Sequence, residues 1–203
     1  MIVVGLTGSI AMGKSTVAAM FAAEGAPVFD SDAEVHAFYN SPRAMAVETA
    51  FPGVLAEGAI DRGLLAQKVL GDSAALARLE SIVHPEVAKA RQDFLAAVAT
   101  KGNRLVVVDV PLLFESGGDR LVDVVLVVSA SEAVQKARAL ARTGMTLERL
   151  EKIIAKQTPD REKRRRAHMV IDTNGALELT RAQLRGFLRC AAGMTGRMTS
   201  GHA

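Results

Sequence analysis

Short aliphatic runs and longer amphipathic stretches alternate along the chain. Residues 2–6, 27–30, 105–109, 124–128 and 169–171 are brief apolar runs, and each predicts a β-strand. The third and fourth are unbroken aliphatic runs, as expected of strands covered on both faces. Residues 16–24 read as a helix that Gly25 can stop. Within 74–82 and 85–99, apolar residues recur at spacings of three and four, and Pro85 fits the first turn of the second of these helices. A last helix spans about 176–191. This alternation predicts an α/β fold, a mostly parallel sheet sandwiched by helices.

Two intervals are too long to be simple crossovers. The mainly helical block of about 34–101 predicts a lobe above the sheet. A stretch of about 142–166, rich in Arg, Lys and Glu, predicts a second insertion acting as a lid. The core is then about 1–33, 102–141 and 167–192, with a frayed tail at 193–203, all within one domain. No internal repeat is present.

The segment Gly8-Ser9-Ile10-Ala11-Met12-Gly13-Lys14-Ser15 matches the phosphate-cradling pattern G-x-x-x-x-G-K-[ST] at every fixed position. A strand precedes it and a helix follows, so the chemistry is coherent. Glycines let main-chain N–H groups approach a phosphate, and the helix N-terminus adds positive potential. The candidate nucleotide contacts are Gly8, Ala11, Met12, Gly13, Lys14, Ser15 and Thr16. Lys14 reaches the β- and γ-phosphates, and the Ser15 hydroxyl can hold magnesium. The competing reading is a chance glycine-rich turn.

In open α/β sheets, ligands lie beyond the carboxyl ends of the strands. Asp32 follows the second predicted strand and is the candidate carboxylate beside an acceptor hydroxyl, although Asp30, Ser31 or Asp32 could simply cap a helix. Asp109 ends the third strand and is a candidate magnesium residue acting through water. Arg142 follows a helix and precedes Gly144 and Thr146. It could swing over a transferring phosphate, or it could only complement a helix dipole. His84 precedes Pro85 at an expected helix start, where capping and substrate contact are both open.

Bulk properties narrow the classes. The chain has 203 residues, a net charge of +3, and 49% hydrophobic and 23% charged residues. That balance suits anionic ligands but is too mild to argue for nucleic acid. The basic run Lys163-Arg164-Arg165-Arg166 reads as a solvated helix face, because no aromatic residues interleave with it. A single cysteine, Cys190, excludes an intrachain disulfide and a thiolate cluster. The four histidines lack metal-ligand spacing. No apolar run is long enough to span a bilayer, and the first strand is not a secretion signal, so a cytoplasmic enzyme with no membrane partner is expected.

Taken in order, several blocks resemble the dephospho-CoA kinase family. They are 4–16, Val28-Phe29-Asp30-Ser31-Asp32, Ile60-Asp61-Arg62 with Leu64 and Leu65, and Leu79-Glu80-Ser81-Ile82-Val83-His84-Pro85. Val110-Pro111-Leu112-Leu113-Phe114-Glu115, Arg142-Thr143-Gly144-Met145-Thr146, Ile154-Ala155-Lys156-Gln157 and 170–175 complete the set. The blocks at 79–85 and 111–115 are much more specific than the phosphate loop. The resemblance implies a P-loop kinase core with a helical acceptor lobe and a lid. It also implies ATP- and Mg²⁺-dependent phosphorylation of the ribose 3′-hydroxyl of 3′-dephospho-CoA, giving CoA and ADP in the last step of coenzyme A biosynthesis.

By the same resemblance, Asp32 is base or orienter and Lys14, Ser15 and Thr16 handle phosphates and magnesium. Arg142 is the lid arginine, and Asn174 with Gly175 lies near adenine. His84, Leu112, Phe114 and Glu115 lie on the acceptor side. The chain departs from the family pattern where Ala11-Met12 replaces a usual Gly-Ser. Met12 is expected to point away from the phosphate and to be tolerated. His168 in place of a frequent Asp, and Thr173 in place of a frequent Asn, bear on adenine recognition. The alternatives are a kinase for a nucleoside monophosphate or another hydroxylated metabolite, a GTPase-like switch, for which no N-K-x-D motif is present, and a nucleic-acid-dependent ATPase.

Overall fold

The computed structural model describes residues 1–196, so His202 and the end of the expected tail lie outside the described residues. In chain order the elements are β1 (Ile2–Thr7), α1 (Lys14–Ala23), β2 (Val28–Asp30), α2 (Ser31–Tyr39) and α3 (Met45–Ala50). Then come β3 (Leu55–Ala56), β4 (Ala59–Ile60), α4 (Arg62–Val69), α5 (Ser73–Thr100), β5 (Leu105–Asp109) and β6 (Val124–Ser129). The remainder are α6 (Glu132–Leu140), α7 (Leu147–Ile154), α8 (Asp160–Arg166), β7 (Met169–Asp172) and α9 (Leu177–Ala191). These elements form two compact units, one from residues 1–29 together with the chain from Val98 onward, the other from residues 30–97.

The first unit holds a five-stranded sheet of order β2-β5-β1-β6-β7. The pairs β1–β5, β1–β6 and β6–β7 are parallel, with Leu6 opposite Asp109 and Ser129 opposite Asp172. β1 is central. The chain leaves it towards β2 and β5 on one side and returns to β6 and β7 on the other, which opens a crevice at its carboxyl end. Ile2, Val4 and Leu6 face Val17, Met20 and Phe21 of α1 and Leu184, Phe187 and Ala191 of α9 in one buried cluster. The Phe21 and Phe187 rings meet edge to face at 6.0 Å. Gly5 points to the opposite face, where a Cβ would meet Leu113 and Val122. This alternation follows from the two-residue period of a strand.

Gly25 stops α1 in a left-handed turn, with Gly25 N–H donating to Ala22 O and Ala26 N–H to Phe21 O. Of the expected tail only residues 193–196 are described, with 193–195 exposed and Gly196 buried. A Cβ on Gly196 would run into the Met1 carbonyl and the Asp123 carboxylate, so the chain is packed at that one residue. Among the described residues no helix is long and apolar enough to cross a membrane.

The second unit has its own core, built from Phe38, Tyr39, Val47, Phe51, Val54, Ile60, Leu65, Ala75, Leu79 and Val83. Glu48 accepts from the amides of Gly53, Val54 and Leu55, and these bonds hold its carboxyl below the usual carboxylate range. Here the sequence reading needs two corrections. The antiparallel β3–β4 hairpin turns through Glu57 and Gly58, both at positive φ, and was not expected. The two expected helices of 74–82 and 85–99 are one 28-residue helix, α5, with Pro85 inside it rather than in a first turn. An interior proline costs about 3 kcal/mol through one lost N–H bond and crowding of the turn before it. Ala75, Leu79, Ile82 and Val83 before it and Val87 after it all pack into the same cluster, and that shared burial keeps the helix continuous.

Candidate active site

The phosphate loop runs from the end of β1 to the start of α1. An added Cβ at Gly8 would sit 2.6 Å from Val128 O, so only glycine lets the loop leave the strand this close to β6. Gly13 has φ +91° and opens α1 without any side-chain cap. The amides of Lys14, Ser15 and Thr16 in that first turn therefore have no intrahelical acceptor and are available to an anion. Ala11 also lies in the left-handed region, at φ +61°.

Met12 is almost fully buried. Its sulfur accepts from Ala130 N–H at 3.1 Å, and its carbonyl accepts from the Thr173 hydroxyl at 2.8 Å. The side chain thus anchors the loop to the end of β6. Thr173 also accepts from Arg138 Nη1 at 3.1 Å, while Arg138 Nη2 donates to Thr173 O at 2.7 Å. Neither Arg138 nor this use of Thr173 was read from the sequence. A hydroxyl beside a glycine loop carries no local signal without the strand pairing that brings β7 there.

Asp109 is buried at the end of β5, one strand over from the loop. Its carboxylate takes Lys14 Nζ at 2.5 Å. Asp32 is in the second position of α2, exposed. Asp30 supplies the cap of that helix, accepting from Asp32 N–H at 2.9 Å and Ala33 N–H at 3.0 Å. The Asp32 carboxylate is therefore not used for capping.

Arg142 is brought to the loop. With Ala11, Gly13, Thr16, Arg138, Thr173, Leu177 and Thr180 it lines a cavity of about 290 Å³. A larger cleft of about 1250 Å³, lined by Ser9, Met12, Ser131 and residues of α6, α7 and α8, lies beside it. Thr146 caps α7 and Gly144 has φ +73°, as their places after Arg142 suggested. Asn174 is less free than expected. Its Oδ1 accepts from Ser131 N–H at 2.7 Å and its Nδ2 donates to Asp172 at 2.8 Å, so its side chain ties the start of α6 to the end of β7. The lining beside it comes instead from Thr173 and Leu177, with Gly175 outside the cavity.

The 111–115 loop departs further from expectation. Leu112 is exposed, but Phe114 is buried beneath the Arg166 guanidinium, 4.3 Å from its ring centroid. Glu115 accepts from Thr158 N–H at 2.6 Å and lies 3.2 Å from Lys163 Nζ. Burial opposes ionisation of Glu115. The Thr158 amide, its own amide and the Lys163 ammonium outweigh this, and the carboxyl sits below its ordinary value. Phe114 and Glu115 thus hold α8, rather than standing free towards an acceptor. Lys163 is fully buried, which corrects the solvated-face reading of the basic run, although Arg164 and Arg165 beside it are exposed. His84 is an exposed mid-helix residue of α5 and caps nothing. His168 precedes β7 at the amino end of the sheet. Its Nδ1 accepts from Val125 N–H at 3.0 Å, a bond an Asp carboxylate could equally accept.

Among the described residues, no group of three or more His, Cys, Asp or Glu side chains forms a metal site. A central parallel strand, a glycine loop opening a helix, a loop lysine on a buried strand-end aspartate and an arginine lining the adjacent cavity define a P-loop kinase. The comparisons narrow the class. The chain belongs to the dephospho-CoA kinase family, whose model matches residues 2–178. It is 54% identical over 195 residues to a dephospho-CoA kinase of Rhodopseudomonas palustris strain BisB18, covering 96% of this chain and 98% of that one. It is also similar to a Thermus thermophilus protein of known crystal structure (TM-score 0.83, 35% identity, 96% and 98% coverage). The Campylobacter jejuni dephospho-CoA kinase shares the fold at TM-score 0.71 and 22% identity, with 94% and 98% coverage.

Proposed function

We propose that this chain transfers the γ-phosphoryl group of ATP to the ribose 3′-hydroxyl of dephospho-CoA, giving CoA and ADP. The observation that carries the reading is the Lys14–Asp109 pair at the mouth of a loop whose first helical amides are free. It places a cation and a set of fixed donors where a triphosphate would end. The relatives' shared name supplies the acceptor.

In this reading the amides of Ala11, Gly13, Lys14, Ser15 and Thr16 grip the phosphates, and Lys14 leaves Asp109 for the β- and γ-oxygens. Oxygen donors suit Mg²⁺, so the Ser15 hydroxyl would hold it directly and Asp109 through water, and the ion would neutralise phosphate charge. The base occupies the 290 Å³ cavity between Thr16, Leu177 and the Arg138–Thr173 pair. Arg142, at the rim of that cavity, swings over the phosphates as the lid closes and spreads the charge that develops on the transferring group. Residues 30–97 carry the acceptor, with Asp32 orienting the 3′-hydroxyl and taking its proton as the new O–P bond forms and the β–γ bridge breaks.

Incubation with ATP, Mg²⁺ and dephospho-CoA should give one CoA per ADP, detected by mass. AMP, shikimate and gluconate should remain unphosphorylated. Absence of CoA, or equal phosphorylation of one of the other alcohols, overturns the assignment.

A further inference from the structure

The block 154–157 has no role in the reaction just proposed, yet its last residue touches the phosphate loop. Gln157, between α7 and α8, accepts from Ile10 N–H through Oε1 at 3.1 Å. From the other flank Gln135, a buried residue of α6, donates through Nε2 to Ile10 O at 2.9 Å. Two glutamines from separate elements therefore hold two successive peptide planes, Ser9–Ile10 and Ile10–Ala11.

The geometry of a trans peptide gives this a consequence. The C=O and N–H of one plane point in opposite directions. By drawing Ile10 O towards α6, Gln135 aims the Ala11 N–H the other way. Thr173 does the same two residues later, since its grip on Met12 O turns the Gly13 N–H away from the end of β7. Ala11 takes a left-handed conformation between these fixed planes. Ile10 and Met145 also pack on the small buried cluster of Ala11, Ala139 and Leu150, so the loop and α7 share a contact surface.

We propose that Gln135 and Gln157 are positioning residues for ATP binding. They orient the amides of the phosphate loop, and Gln157 ties that orientation to the placement of the 142–166 lid. This rests on the kinase reading above. Neither side chain touches substrate in the proposal. Both act through the main chain of Ile10.

The test combines nucleotide affinity with amide exchange in the whole protein. Gln157→Leu should remove protection from the Ile10 amide. Gln157→Leu and Gln135→Leu should each raise the Kd for ATP about tenfold, the size of one lost hydrogen bond in a preorganised site. The KM for dephospho-CoA should stay within about twofold, because the affected amides serve only the nucleotide. Gln157→Glu keeps the acceptor oxygen, so Ile10 protection should survive in it whatever its charge does to ATP. A role in stability alone would lower Tm and leave the ATP Kd unchanged, and that result overturns the proposal. So does loss of Ile10 protection in the Gln157→Glu variant equal to that in Gln157→Leu. If a leucine variant fails to fold, the corresponding methionine variant, close in volume, replaces it. Failure of the kinase reading itself shows separately, as wild-type protein that forms no CoA.

Discussion

The loops that leave β1 and β5 start from neighbouring strands with Leu6 opposite Asp109, yet they are used in opposite ways. In the β1 loop the side chains turn inward and the main chain is presented. Met12 is buried against Ala130, and the carbonyls of Ile10 and Met12 are held from outside by Gln135 and Thr173. In the β5 loop the side chains Phe114 and Glu115 are spent on α8, and what they fix is a neighbouring helix. A loop can serve a reaction by exposing its own amides or by immobilising the element beside it. Only the first kind leaves a fixed spacing of glycines in the sequence.

The strongest way to break the contrast is at Lys14. If the β1 loop carries the chemistry, Lys14→Ala should reduce kcat/KM for ATP about a thousandfold, the upper range for removing one preorganised charge from a phosphoryl-transfer site. Steady-state kinetics check this. Retention of a tenth of the activity would mean that the loop binds but does not catalyse.

Next in size is Asp32, at the exit of β2. Because Asp30 makes the cap, Asp32→Asn leaves that helix start intact. It should lower kcat about a hundredfold, as for a lost general base, with the Kd for ATP nearly unchanged. A kcat within threefold of wild type would remove Asp32 from the proposed mechanism.

Glu115 sharpens the comparison from the β5 side. Glu115→Gln leaves Lys163, which is 0% exposed, without its counter-ion. Removing one partner of a buried pair costs several kcal/mol, and we take about 2 kcal/mol because the carboxylate is partly exposed. For a chain of this length that is a fall in Tm of roughly 4–8 °C. The pH dependence has a definite sign. The folded-state carboxyl lies below its ordinary 4.5, so its contribution is complete above that value and is lost as pH falls through the lowered one. The stability gap between wild type and Glu115→Gln should therefore narrow in acid. A large rise in the KM for dephospho-CoA at unchanged Tm would instead make Glu115 a substrate ligand.

The same contrast explains what was legible in the sequence. The strands of the first unit declared themselves because aliphatic runs covered on both faces admit few other readings, and the loop because its glycines are sterically required. The β3–β4 hairpin did not, since two-residue strands carry no period. Pro85 misled because its local cost is real but smaller than the burial that joins the two halves of α5. Lys163 misled because a basic run looks uniform until one member finds Glu115 from a distant loop. Arg138, Thr173 and the two glutamines depend on pairs more than 30 residues apart, and no local pattern marks such pairs.

The smallest expected effect lies in Ala11, a left-handed residue that is not glycine. A left-handed alanine carries about 1–2 kcal/mol of strain, which Ala11→Gly would relieve. Against that, glycine gives the unfolded chain more freedom, worth about 0.4–1 kcal/mol. The lost methyl also leaves the cluster with Ala139 and Leu150, at about 0.8 kcal/mol for a buried carbon. The three contributions nearly cancel, so the variant should stay within about 1 kcal/mol of wild type in denaturant unfolding, and ATP affinity should hold because Gln135 and Thr173 still fix the planes on either side. This near-cancellation is how the chain tolerates alanine in a conformation that favours glycine. A tenfold loss of ATP affinity in Ala11→Gly would show that the alanine itself, rather than those outside contacts, keeps the loop in shape.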